Sequence, residues 1–124
     1  MIVLAAAMAS MTVVDMRHQR RVLIVAAPSA ADVRRVTQDA ALAGMTKALA
    51  DRDVTVVSVT GDTVRGAADT AAALRERWRL PKAAFGVVLV GKDGHAALRR
   101  SAPIDATTLV ATIDAMPMRR AGQR

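Results

Sequence analysis

A chain of 124 residues has room for one hydrophobic core and excludes a second domain of ordinary size. A hydrophobic fraction of 52% with 23% charged residues is globular rather than disordered, and the absence of cysteine closes thiol nucleophiles, disulfide exchange, thiolate zinc sites and iron–sulfur ligation together. Eighteen Lys and Arg against eleven Asp and Glu give a formal net charge of +7, which directs attention to anionic partners.

Met1 to Ser10 is apolar and rich in small residues, and Ala7-Met8-Ala9 has the small-x-small form that precedes a signal-peptidase cut. A basic leading region is lacking and the apolar stretch is short for an export signal. Two explanations stand equal: a truncated export signal, which implies a periplasmic or secreted protein, or a misassigned start with Met11 or Met16 as the true one, which leaves it cytoplasmic. No later stretch approaches the roughly 20 apolar residues that span a bilayer. The expected organisation is a flexible segment over 1–15, a single domain over 16–117 and a basic tail over 118–124.

Val22 to Ala27 is a continuous apolar run headed by Arg20-Arg21 and closed by Pro28-Ser29, the pattern of a strand buried on both faces. Ser29 or Asp32 can cap a helix running to about Asp51. Its apolar residues form two sets, Val33, Val36, Ala40 and Ala43 on one side and Leu42, Met45 and Leu49 nearly opposite. Such a helix is either covered on two sides or bent near Gly44. Val54 to Val59 is β-branched and reads as a second strand, parallel to the first because a helix separates them.

From Gly66 to Arg79, residues Ala67, Ala71, Leu74 and Trp78 form one helical stripe, which Leu80-Pro81 ends. Phe85 to Val90 is a third strand, and Lys92-Asp93-Gly94 supplies a hairpin turn into a fourth over His95 to Arg100. Asp105 can cap a last helix with Leu109, Ile113 and Met116 on one face, stopped by Pro117. The order β-α-β-α-β-β-α predicts a thioredoxin-like α/β fold, a four-stranded mixed sheet with helices on both faces. A truncated flavodoxin-like or Rossmann-like sheet would need a further helix where the hairpin sits.

Three strings, Arg20 to Ser29, Val90 to Gly94 and Ile113 to Arg120, resemble the bacterial family called domain of unknown function 4174, over about Met16 to Arg120. That family looks like a peroxiredoxin-like, thioredoxin-fold relative of repeats in secreted vertebrate matrix and sushi-repeat proteins, with no assigned activity. The resemblance implies that the working position of the redox fold falls at Pro28 to Arg34, after the first strand, where a helix N-terminus would lower a thiol pKa. Here that segment has no sulfur, and Gly86 takes the place of the proline before strand three.

Candidate binding residues follow from that loop: Pro28, Ser29, Asp32, Arg34 and Arg35. Ser29 as a nucleophile would need a general base, and the histidines are His18 and His95. As a turn or cap residue it needs none. Arg34 and Arg35 with the free N–H groups of the helix could hold an anion, or could be solvated side chains. The scattered histidines and carboxylates show no metal-ligand spacing, and no pattern calls for a cofactor. The arginines fall in separated pairs, and Trp78 and Phe85 sit at core positions, which argues against a base-stacking nucleic-acid surface. The reading is a non-catalytic binding or structural module. Its alternatives are an enzyme or binder acting on an anionic small molecule at the first loop, and a nucleic-acid or acidic-polymer binder.

Overall fold

The computed structural model describes residues 10–122, so the apolar N-terminal residues considered as an export signal lie, apart from Ser10, outside it. Seven residues of β1 (Arg21–Ala27) are all buried, as a continuous apolar run demands. Alternation divides them between two cores. Val22, Ile24 and Ala26 join Val57, Val59, Leu74 and Trp78 on one face; Leu23, Val25 and Ala27 join Met45, Leu49, Phe85, Leu109 and Ile113 on the other.

The predicted first helix is broken where glycine weakens it. α1 (Val33–Ala43) and α2 (Thr46–Asp51) are separated by Gly44 and Met45. The inward stripe is Gln38, Leu42, Met45 and Leu49, spaced as one helical face across the break. The other expected apolar set is on the surface: Val33 is 77% exposed and Val36 55%. The inward set is therefore the expected Leu42, Met45 and Leu49, extended one turn earlier by a polar residue that an apolar pattern passes over. Gln38 is fully buried, and its side-chain amide donates to the Ile104 carbonyl (3.0 Å) while its oxygen accepts from the Ile104 N–H (2.8 Å). Both halves of a buried amide are thereby satisfied.

β2 (Val54–Thr60) pairs parallel with β1. The sheet then departs from expectation, because a fifth strand, β3 (Thr63–Arg65), folds back antiparallel on β2 with Thr60 opposite Thr63. Gly61-Asp62 is a two-residue hairpin turn, with Gly61 at φ +57°. Gly66 follows at φ +93°, and a Cβ there would lie 2.5 Å from the Val56 carbonyl oxygen. Gly66→Ala therefore combines strain with a backbone clash and should cost about 1–3 kcal/mol, read by urea unfolding.

The next helix starts later than its stripe suggests. α3 (Ala71–Trp78) is capped by the Thr70 hydroxyl, which accepts from the Ala73 N–H at 3.1 Å. It ends with Arg79 in the left-handed region and the Leu80 N–H on the Arg75 carbonyl. β4 (Gly86–Val90) pairs antiparallel with β1, and β5 (Ala96–Arg100) antiparallel with β4. The connecting turn is closed by Gly94 N–H on the Gly91 carbonyl (3.0 Å), so it centres on Lys92-Asp93 rather than on Asp93-Gly94.

α4 (Ala106–Asp114) is capped by Asp105, whose carboxylate accepts from the Thr108 N–H at 2.7 Å. Hydrogen bonding from Thr108, its side chain first and its backbone N–H second, holds the Asp105 carboxyl below the usual carboxylate range. Pro117 opens a further short helix, α5 (Pro117–Arg120), so part of the expected loose tail is ordered. The sheet order is β3-β2-β1-β4-β5, with α3 on one face and α2 and α4 on the other. The protein is thus a mixed α/β fold with five strands instead of four.

Candidate functional site

The charged groups among the five candidate residues after β1 are engaged close by, with Arg35 Nε buried and unpartnered among the described residues. Pro28 and Ser29 lead into the turn, and the Ser29 carbonyl accepts from the Asp32 N–H at 3.2 Å. Asp32, not Ser29, is the cap of α1: its Oδ1 accepts from the Arg34 N–H at 2.9 Å. The same carboxylate takes the Arg34 guanidinium two-handed, Nε at 3.1 Å and Nη2 at 2.9 Å. This side-chain bond pulls the Asp32 carboxyl down and raises Arg34. Arg34 also lies over the Phe85 ring, 5.8 Å from its centroid. Arg35 turns to the Ala30 carbonyl (3.1 Å) and Asp39 (3.6 Å).

Neither histidine reaches this turn. The His18 N–H donates to the Lys92 carbonyl (2.7 Å) and the His95 carbonyl accepts from Gly91, both at the other end of β1, about 20 Å of strand away. Ser29 therefore has no imidazole as a general base among the described residues.

The opposite end of the sheet holds the denser electrostatics, which the sequence reading missed. Parallel pairing sets Arg21 beside Val54, and antiparallel pairing sets Val22 beside Val90, so Arg20-Arg21, Arg52-Asp53 and Lys92 converge. Asp53, at φ +53°, accepts from Lys92 Nζ at 2.8 Å and lies 3.5 Å from Arg20 Nη1. Arg20 is further held by Thr55 Oγ1 and the Val54 carbonyl. Arg21 is buried, donating to the Arg52 carbonyl at 2.7 Å and to Met116 Sδ at 3.3 Å. Burial, seconded by Arg119, lowers its pKa against the opposing pull of Asp53 and Asp114.

At the rim Arg52 grips Asp114 through Nε at 2.9 Å and Nη2 at 3.1 Å. This bond holds the Asp114 carboxyl below its ordinary value and raises Arg52. The stabilisation is present above the unfolded value of about 3.9 and is lost as pH falls through the lower folded value. Asp114 is 43% exposed, so screening limits the pair to about 0.2–1 kcal/mol. Asp114→Asn should be less stable than the parent at neutral pH, and urea unfolding should show that difference vanishing in acid.

Two cavities flank the turn between β4 and β5. One, about 310 Å³, lies between that turn and α5, with Arg21, Lys92 and His95 beside Met116 and Met118. The other, about 110 Å³, lies on the opposite side of the turn, among Arg17, Arg20, Arg77 and Trp78. A third, about 340 Å³, runs along β4 and β5 beside Arg79, Arg99 and Arg100. None of the five residues of the first loop lines any of the three. Among the described residues no three His, Asp or Glu side chains gather to hold a metal ion, and no helix is long and apolar enough to cross a membrane.

The arrangement defines a mixed α/β domain whose central strand is buried along its length and whose chain termini of β1, β2 and β4 share an arginine-rich ionic cluster. The chain belongs to the family described as Domain of unknown function (DUF4174), whose profile matches residues 13–122. No curated protein matches the chain.

Proposed function

We propose that the protein is a thioredoxin-like domain that has given up redox chemistry and serves as a non-catalytic binding module. The fold part of this reading is supported by the pairing: with the short edge strand β3 set aside, the order is β2-β1-β4-β5, with β1 and β2 parallel and the other neighbours antiparallel. That is a βαβ unit joined to a β-hairpin and a closing helix. The observation that carries the functional part is the Asp32–Arg34 pair. It stands at the helix start where a redox member of this fold keeps its thiol, and it offers neither a nucleophile nor an uncompensated charge.

The test is reduction of hydrogen peroxide and of a protein disulfide by purified, metal-free protein supplied with a thiol reductant. The expected rate is that of the reductant alone. Turnover above it, proportional to protein concentration, would overturn the reading.

A further inference from the structure

We propose that the outer edge of β5 docks an extended acidic segment of a partner protein, which adds a sixth strand to the sheet and sets its carboxylates against Arg99 and Arg100. The first observation is an open backbone. β5 is last in the order β3-β2-β1-β4-β5 and pairs with β4 alone, so alternate N–H and carbonyl groups along its other side have no strand to bond among the described residues. Four of its five residues are exposed and Leu98 is half-buried. The Arg99 carbonyl accepts from Arg100 Nη1 at 2.9 Å, a surface contact that an incoming strand can displace. The opposite edge, β3, has only three residues and offers fewer such groups.

The second observation is the charge on that edge. Arg99 and Arg100 close the strand, and Arg79 stands beside them: Arg99 Nη1 lies 3.4 Å from the Arg79 carbonyl, and all three line the groove of about 340 Å³ along β4 and β5. Elsewhere in the fold Arg20, Arg34 and Arg52 each hold a carboxylate. Among the described residues no carboxylate pairs with Arg79, Arg99 or Arg100. The edge thus joins unpaired backbone groups to uncompensated positive charge.

That charge selects the occupant. A second copy pairing edge to edge would bring two Arg99-Arg100 pairs together between bodies that each carry a formal +7. An acidic strand is attracted by the same residues. Side chains of an added strand alternate between the two faces of the sheet, so two adjacent acidic residues meet Arg99 on one face and Arg100 on the other. Backbone bonds supply the affinity, and the arginines supply the preference for an acidic sequence. This partner rests on the binding-module reading, yet failure to dock leaves the peroxide and disulfide result untouched, so the two fail separately.

The probe is a capped, fluorescently labelled peptide, Thr-Val-Glu-Glu-Val-Thr, followed by anisotropy at low salt, with amide hydrogen exchange of the protein read in parallel. Saturable binding with slowed exchange in Ala96 to Arg100 is expected. Replacing both glutamates by lysine should abolish it, and Arg99→Gln combined with Arg100→Gln should weaken it about tenfold, the loss of two exposed charge pairs. Lys47→Gln, on α2 and paired with Asp51, should leave it unchanged. N-methylation of alternate peptide nitrogens separates strand pairing from charge attraction. Of the two complementary patterns, one removes the N–H groups that face β5 and should abolish binding; the other caps the outer edge and should not. No binding, equal binding of both methylated forms, or binding without slowed exchange in β5 would overturn the docked strand. So would undiminished affinity in the double variant. Concentration-dependent dimerisation that protects β5 without peptide would give the edge to a second copy and overturn it as well.

Discussion

Phe85→Ala is expected to remove about 3–5 kcal/mol of stability, a large share of the roughly 5–15 kcal/mol that holds a domain of this size. Phe85 is 1% exposed and lies immediately before β4, packed among Leu23, Val25, Val87 and Ile104. The loss has two parts: the ring's transfer from water, and the cavity it would leave between a sheet face and the loop before α4. Those walls are backbone-paired strands and collapse little. Phe85→Leu should recover most of the loss, because the volume is largely restored. Urea unfolding read by Trp78 fluorescence measures both, since Trp78 lies on the other face of the sheet and is untouched by either substitution. The Asp32–Arg34 pair should survive in both variants, because its bonds do not involve the ring over which Arg34 lies.

The parts of this fold that the sequence discloses are those governed by neighbouring residues. β1 and β4 are legible because both of their faces are covered, so nothing polar interrupts Val22 to Ala27 or Val87 to Val90. The caps Asp32 and Asp105 are legible because an N-cap bond spans two or three residues. β3 is not, because three residues are too few to show a period, and its Gly-Asp turn has the same composition as a strand stop. The ionic cluster is invisible for a different reason. Arg20 and Asp53 are 33 residues apart and Asp53 and Lys92 are 39 apart, so their meeting depends on the order of the strands. Once β1 and β2 are parallel and β4 returns beside β1, the residues at the starts of β1 and β2 and those after β4 share one end of the sheet. The candidate loop at the other end is marked only by a resemblance to a sulfur-bearing site, and its charges are engaged locally.

Gln38 shows how a single polar residue can conceal the inward face of a helix, and it carries the second large expectation. Gln38→Ala leaves the Ile104 N–H and carbonyl unpaired in a position that is 4% exposed. Each orphaned group costs about 1–3 kcal/mol, so a loss of about 2–6 kcal/mol is expected, smaller if water enters the space. Gln38→Leu separates volume from hydrogen bonding: it extends the apolar stripe of Leu42, Met45 and Leu49, yet should recover only part of the loss. Full recovery would show that the amide acts as filler. Gln38→Glu keeps the acceptor for the Ile104 N–H but, when ionised, sets a buried carboxylate against the Ile104 carbonyl. Its folded pKa should therefore rise above the ordinary value of about 4.3. The variant should approach the parent's stability in acid, where the protonated carboxyl can donate to that carbonyl, and fall away as pH rises through the raised value. Urea unfolding at several pH values, compared with the parent at each, should show that slope. A pH-independent difference would mean that the Ile104 carbonyl is not the partner that matters.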